Sequence, residues 1–112
     1  MGSDLVGSVW RPSFMSAAEL IPGVEMVVNF NPGGKISGNG GCNQFFGAYT
    51  VSGNLIKIGP IASTRKGCPG LIGVEAAFFA MLESAKTFEE QGGMLVLYDV
   101  TGAKVLELAR AD

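Results

Sequence analysis

The residues best equipped for chemistry are two cysteines, Cys42 and Cys68, each set in a polar, glycine-bearing segment. A cysteine nucleophile needs a base, and the chain contains no His to supply one. Arg65 and Lys66 precede Cys68 and could lower a thiol pKa. The competing reading is a solvated loop that holds half of a disulfide, with Thr64 bonded to backbone, and this one is favoured. Two sulfurs without His do not complete a four-ligand zinc site, and their spacing is not that of a redox C-x-x-C pair. From these residues alone, two buried thiols and one disulfide both remain open. A disulfide would close a loop of about 26 residues, worth about 3 to 4 kcal/mol in the chain-entropy model.

The segment over residues 37–49 reads SGNGGCNQFFGAY. Its glycines invite a phosphate-cradle reading, but the P-loop Lys and the third Gly of a dinucleotide loop are both missing. The glycines therefore read as positions of positive φ or close backbone approach, with Asn43 bonding local backbone. Ten carboxylates are scattered along the chain without a facing pair. Glu89 and Glu90 are adjacent in an expected strand and so point to opposite faces. No Ser lies in a G-x-S-x-G context. No catalytic site is expected, and no cofactor or metal is called for.

The elements that must position these residues follow from turn punctuation. Turns at Asn31-Pro32-Gly33-Gly34, Ser52-Gly53-Asn54, Gln91-Gly92-Gly93 and Val100-Thr101-Gly102 separate short runs rich in β-branched and aromatic residues. The runs at 25–30, 45–51, 55–58, 94–98 and 104–108 read as strands. Between residues 71 and 86, Val74, Ala77, Phe78, Met81, Leu82 and Ala85 form one helical stripe, with Glu75 and Glu83 outside it. Glu75 near the first turn and Lys86 near the last would suit the helix dipole. The expected fold is α+β: a curved antiparallel sheet, partly closed into a barrel, with a single amphipathic helix packed on it. Phe45 and Phe46 cannot both face inward from one strand, so one of them packs elsewhere.

With 112 residues the chain has room for one core, and 47% hydrophobic content excludes disorder. A net charge of -2 argues against nucleic acid as a partner. No run of apolar residues is long enough to span a bilayer as a helix. Met1-Gly2-Ser3 reads as a start codon followed by a cloning scar, leaving 4–112 as the domain and placing any export or lipid-attachment segment upstream.

Trp10, Val28 and Phe30, Ile36-Ser37-Gly38, Gly41-Cys42-Asn43, Phe46-Gly47-Ala48-Tyr49, Ile61-Ala62-Ser63-Thr64 and Cys68 stand in an order that resembles the META domain of HslJ-type heat-shock proteins. Glu75, Phe79 and the run 95–98 continue the match, and G-C-N-x-F-x-G-x-Y is its most specific element. The resemblance implies a curved sheet with one helix and favours the Cys42–Cys68 disulfide. It marks Gly41, Asn43, Phe46, Gly47, Tyr49 and Thr64 as motif residues, structural or binding, and carries no catalytic residue. It further implies an exported protein of the periplasm or outer membrane, a lipid anchor in some members, and a stress-linked, non-enzymatic role. The departures are the turn at Asn31–Gly34 and the lack of a lipid-attachment Cys near the start. The leading expectation is an envelope module that binds an envelope protein or an apolar ligand beside the helix or at the open end of the sheet. Low charge and a mean hydropathy of +0.33 motivate it. The alternative is a purely structural domain of a larger envelope protein.

Overall fold

The computed structural model describes residues 5–111, so Met1–Ser3, the expected scar, and the domain boundary at Asp4 lie outside the described residues. Nine strands and one helix are present among them. In chain order these are β1 (Ser8–Met15), β2 (Val27–Asn31), β3 (Lys35–Asn39), β4 (Gln44–Ser52), β5 (Leu55–Ile58) and β6 (Ala62–Ser63). They are followed by α1 (Ile72–Ser84), β7 (Thr87–Gln91), β8 (Met94–Tyr98) and β9 (Lys104–Arg110). The fold is the α+β arrangement expected from the strand rhythm and the single helical stripe. The sheet goes further than partial closure. Its order is β3-β2-β1-β9-β8-β7-β5-β4, and β3 also pairs with β4, so eight strands form a closed antiparallel ring. β6 attaches outside this ring along the edge of β4, pairing Ser63 with Phe45 and Ala62 with Phe46.

Alternation explains which strands were legible. In β2, Val28 and Phe30 are buried while their neighbours are half-exposed, and Leu95 and Leu97 do the same in β8. β1 and β3 lacked that signal. Pro12 interrupts β1, and the pairing with β9 shifts register between Pro12 and Phe14, a bulge that accommodates a residue without an N–H. β3 reads Lys-Ile-Ser-Gly-Asn, with Ile36 its one large apolar residue. It is held by pairing on both edges, with β2 and with β4.

The core fills the ring with Trp10, Phe30, Phe45, Leu95, Leu97, Leu106 and Leu108, all fully buried. Burying side chains of this size contributes about 1.5 to 3 kcal/mol each before entropy is counted. α1 packs against β5 and β9 and presents Val74, Phe78 and Leu82 to the core, with Phe78 edge-on to Phe45 at 6.0 Å between ring centroids. The aromatic pair in β4 divides as expected: Phe45 is 1% exposed and Phe46 is 48% exposed.

Two details of the helix differ from expectation. It ends at Ser84 and has no basic residue in its last turn, so Lys86 lies past its C-terminus. Glu75 is not on the solvent face. It is 6% exposed, because it lies three residues before Phe78 at the edge of the apolar stripe, where the loop between β3 and β4 covers it.

Candidate functional site

The loop between β3 and β4 meets the N-terminal turn of α1, and the motif residues converge there. Cys42 and Cys68 form a disulfide with Cα atoms 6.1 Å apart. The bond ties the loop to the segment that leads into the helix. Glu75 reaches back from the helix and accepts three hydrogen bonds. Oε2 takes the backbone N–H of Cys42 at 3.1 Å and that of Asn43 at 2.6 Å, and Oε1 takes Asn43 Nδ2 at 2.7 Å. Donors of this kind to a carboxylate make the stronger class of hydrogen bond.

The Asn43 side chain does not bond local backbone, contrary to the expectation. Its partners lie more than twenty residues away. Nδ2 also donates to Lys66 O at 3.1 Å, while Oδ1 accepts from Lys66 N at 2.6 Å and from Thr64 Oγ1 at 2.9 Å. Thr64 Oγ1 in turn accepts the N–H of Gln44 at 3.1 Å, so its expected bond to backbone is present. Asn43 therefore uses both donors and its acceptor in one buried network. Every buried side-chain N or O atom among the described residues is satisfied.

Glycine makes the approach possible. A Cβ on Gly40 would lie 2.7 Å from Glu75 Cγ and 2.8 Å from Phe79 Cε1, inside the helix surface. Gly41 takes φ +111°, and its N–H caps Asn39 Oδ1 at 2.8 Å. The motif's second half runs away from this cluster along β4. Gly47 pairs with Ile36, and Phe46 pairs with Ser37 on the outer face. Tyr49 is buried at the other end of β4, where its hydroxyl donates to Asn31 O at 3.1 Å and its ring meets Phe30 edge-on at 5.0 Å. Burial pushes the Tyr49 phenol pKa upward. The structure thus brings together Gly41, Cys42, Asn43, Thr64 and Cys68, adds Glu75, and leaves Phe46, Gly47 and Tyr49 elsewhere.

Beside this clamp lies a hollow of about 400 Å³. Ile72, Ala76 and Phe79 of α1 form an apolar wall, and the 63–67 loop brings Arg65 and Lys66 to its rim. Ile72 is 66% exposed. Neither Arg65 nor Lys66 has an acidic partner within ion-pair distance among the described residues. A second hollow of about 350 Å³ lies on the outer face of β2, β3 and β4. Among the described residues no three His, Cys, Asp or Glu side chains gather in a metal-binding group, and no helix is long and apolar enough to cross a membrane.

Solved structures share this fold at low sequence identity. A Burkholderia xenovorans protein solved by NMR superposes with TM-score 0.77 at 20% identity, covering 96% of this chain and 83% of its own. A second NMR structure gives 0.72 at 20% identity, covering 95% and 91%. A crystal structure of a DUF4847 family protein from Bacteroides vulgatus ATCC 8482 gives 0.70 at 13% identity, covering 97% of each chain. No curated protein is significantly similar in sequence. The META domain model matches residues 3–112, which contain both the disulfide and the Asn43–Glu75 clamp, and the chain belongs to the META domain family.

Proposed function

We propose that this chain is a non-enzymatic envelope module that binds a polypeptide segment, or another ligand of apolar character, in the hollow beside α1. The observation that carries this reading is the pairing of an apolar helix face, exposed Ile72 and Ala76 beside half-buried Phe79, with two cations, Arg65 and Lys66, that have no acidic partner among the described residues. Apolar surface of this kind, rimmed by charge, is the usual composition of a binding groove. An apolar segment carrying a carboxylate complements both halves. The buried carboxylate next to the hollow, Glu75, spends both oxygens on the clamp, which supports a positioning role over acid–base chemistry. In this reading residues 4–112 make up the module, Asn43 and Thr64 form part of the groove wall, and Gly41 holds the loop behind it.

The disulfide supports residence in an oxidising compartment, and hence export to the periplasm or the outer membrane; a role in stress response is proposed on the family resemblance alone. Titration with a fluorescent peptide of leucines flanked by glutamates tests the groove. The parent should bind, and Ile72→Asp should bind about tenfold more weakly while melting at the same temperature. Equal binding by both proteins removes this reading. Cell fractionation of the full-length gene product checks the compartment, and a cytoplasmic protein with reduced cysteines refutes export.

A further inference from the structure

The outer face of β2, β3 and β4 is lined by uncharged residues. Cross-strand register places Val27, Asn39 and Gln44 in one row and Asn29, Ser37 and Phe46 in the next. Standard sheet spacings make this patch roughly 10 Å across the strands, with the two rows about 7 Å apart. These six side chains line the hollow of about 350 Å³, and no charged side chain lines it. Phe46 offers a half-exposed ring at its edge.

The polar groups are only partly used by the fold. Asn29 Nδ2 donates to Ser37 O at 3.3 Å, which leaves Oδ1 as an acceptor. Asn39 Oδ1 is taken by Gly41 N, which leaves Nδ2 as a donor. Ser37 Oγ accepts from Asn31 Nδ2 at 2.9 Å and keeps its own proton to donate. Gln44 is exposed, and neither end of its side-chain amide is engaged among the described residues. The patch thus sets neutral donors and acceptors beside one aromatic ring.

We propose that this face is a binding site for a neutral saccharide. Vicinal hydroxyls both donate and accept, which matches uncharged amide and hydroxyl groups, and the C–H face of a sugar ring packs on an aromatic ring such as Phe46. Anionic ligands find no cation in the lining. An added peptide strand finds no free edge, because β3 is paired on both sides and β4 is paired with β3 and β6 over this stretch. The site is separate from the groove beside α1 and does not depend on it.

NMR titration of the folded chain with cellotetraose, chitotetraose and maltotetraose tests the proposal. At least one of them should shift the backbone signals of Ser37, Asn39 and Phe46 and the side-chain amide signals of Asn29 and Gln44. Phe46→Ala should weaken that binding about tenfold, and Phe46→Trp should retain it. Ile72→Asp, which disables the peptide groove, should leave it unchanged. The proposal is overturned if none of the three sugars moves these signals at millimolar concentration, or if Phe46→Ala binds as well as the parent. Phe46 is half-exposed, so an unchanged melting temperature in Phe46→Ala separates lost binding from lost folding.

Discussion

Two junctions of the eight-strand ring close it in different ways. Where β3 meets β4, five residue pairs form the ladder, from Lys35 with Ala48 to Asn39 with Gln44. The end of that hairpin is then fixed by the Cys42–Cys68 disulfide and the Asn43–Glu75 network. Where β5 meets β7, one pair, Leu55 with Thr87, makes the ladder. Two backbone bonds flank it, Ile56 N to Lys86 O at 2.9 Å and Phe88 N to Asn54 O at 3.0 Å. The first junction combines a covalent bond with buried hydrogen bonds to a carboxylate. The second rests on a few backbone bonds beside a Leu that is 57% exposed. Local stability follows the density of buried contacts, so the barrel should open at the β5–β7 seam before it opens at the clamp.

Breaking the clamp should have the largest effect. Glu75→Ala leaves the N–H groups of Cys42 and Asn43 and one bond of the Asn43 amide without partners in a buried site. The expected loss is about 3 to 4 kcal/mol, read from chemical denaturation. A loss under about 1 kcal/mol would show that water replaces the carboxylate and that the clamp is not a major source of stability. Cys42→Ser comes next. Under oxidising conditions it should cost about 3 kcal/mol, whereas in reductant mutant and parent should melt together. Equal melting in oxidant would mean that the hydrogen bonds alone hold the loop.

The seam should give the smallest and most local effect. Hydrogen exchange should find the amides of Ile56 and Phe88 less protected than those of the β3–β4 ladder. Acid should loosen the turn that follows β8. The Asp99 carboxylate sits in the β8–β9 turn next to the end of β7, and hydrogen bonds from the Thr101 hydroxyl, then from backbone N–H groups, hold its pKa below the usual value of 3.8. A carboxylate with a lowered folded-state pKa contributes stability above its unfolded value. That contribution is lost as pH falls through the folded value. Protection of the Thr101 and Ala103 amides in that turn should therefore drop below about pH 4 in the parent, and Asp99→Asn should remove that pH dependence. If the ladder at the clamp loosened first, the ranking of the two junctions would be reversed.

Legibility in the sequence followed periodicity. β2, β8 and β9 carry alternation or β-branched runs between turn residues, and the helix carries a stripe at three- and four-residue spacing. Those signals are local, and the structure places a strand or helix at each of them. β1 was hidden by Pro12 and its bulge, and β3 by having a single large apolar residue. The candidate site was half legible. Cys42, Asn43, Thr64 and Cys68 are marked by the motif, and Glu75 continues the resemblance, but the helical periodicity leaves Glu75 outside the apolar stripe. One signal could have found it, since Glu75, Phe78 and Leu82 share a helix face. Only the approach of the 40–43 loop makes that face a place where a carboxylate is satisfied rather than stranded.

By itself, the amino-acid order determined the turns, most of the strands, the helix and the exposure of one member of the Phe45–Phe46 pair. These depend on spacing over two to four residues, which the backbone's own geometry enforces. Tertiary structure decided the closure of the ring at β5–β7, the burial of Glu75 and the assembly of a neutral amide face around Phe46. Each joins residues from separate strands or loops. Such contacts exist only after the chain has packed, because they turn on a missing Cβ at Gly40 and on register between strands, which no local pattern specifies.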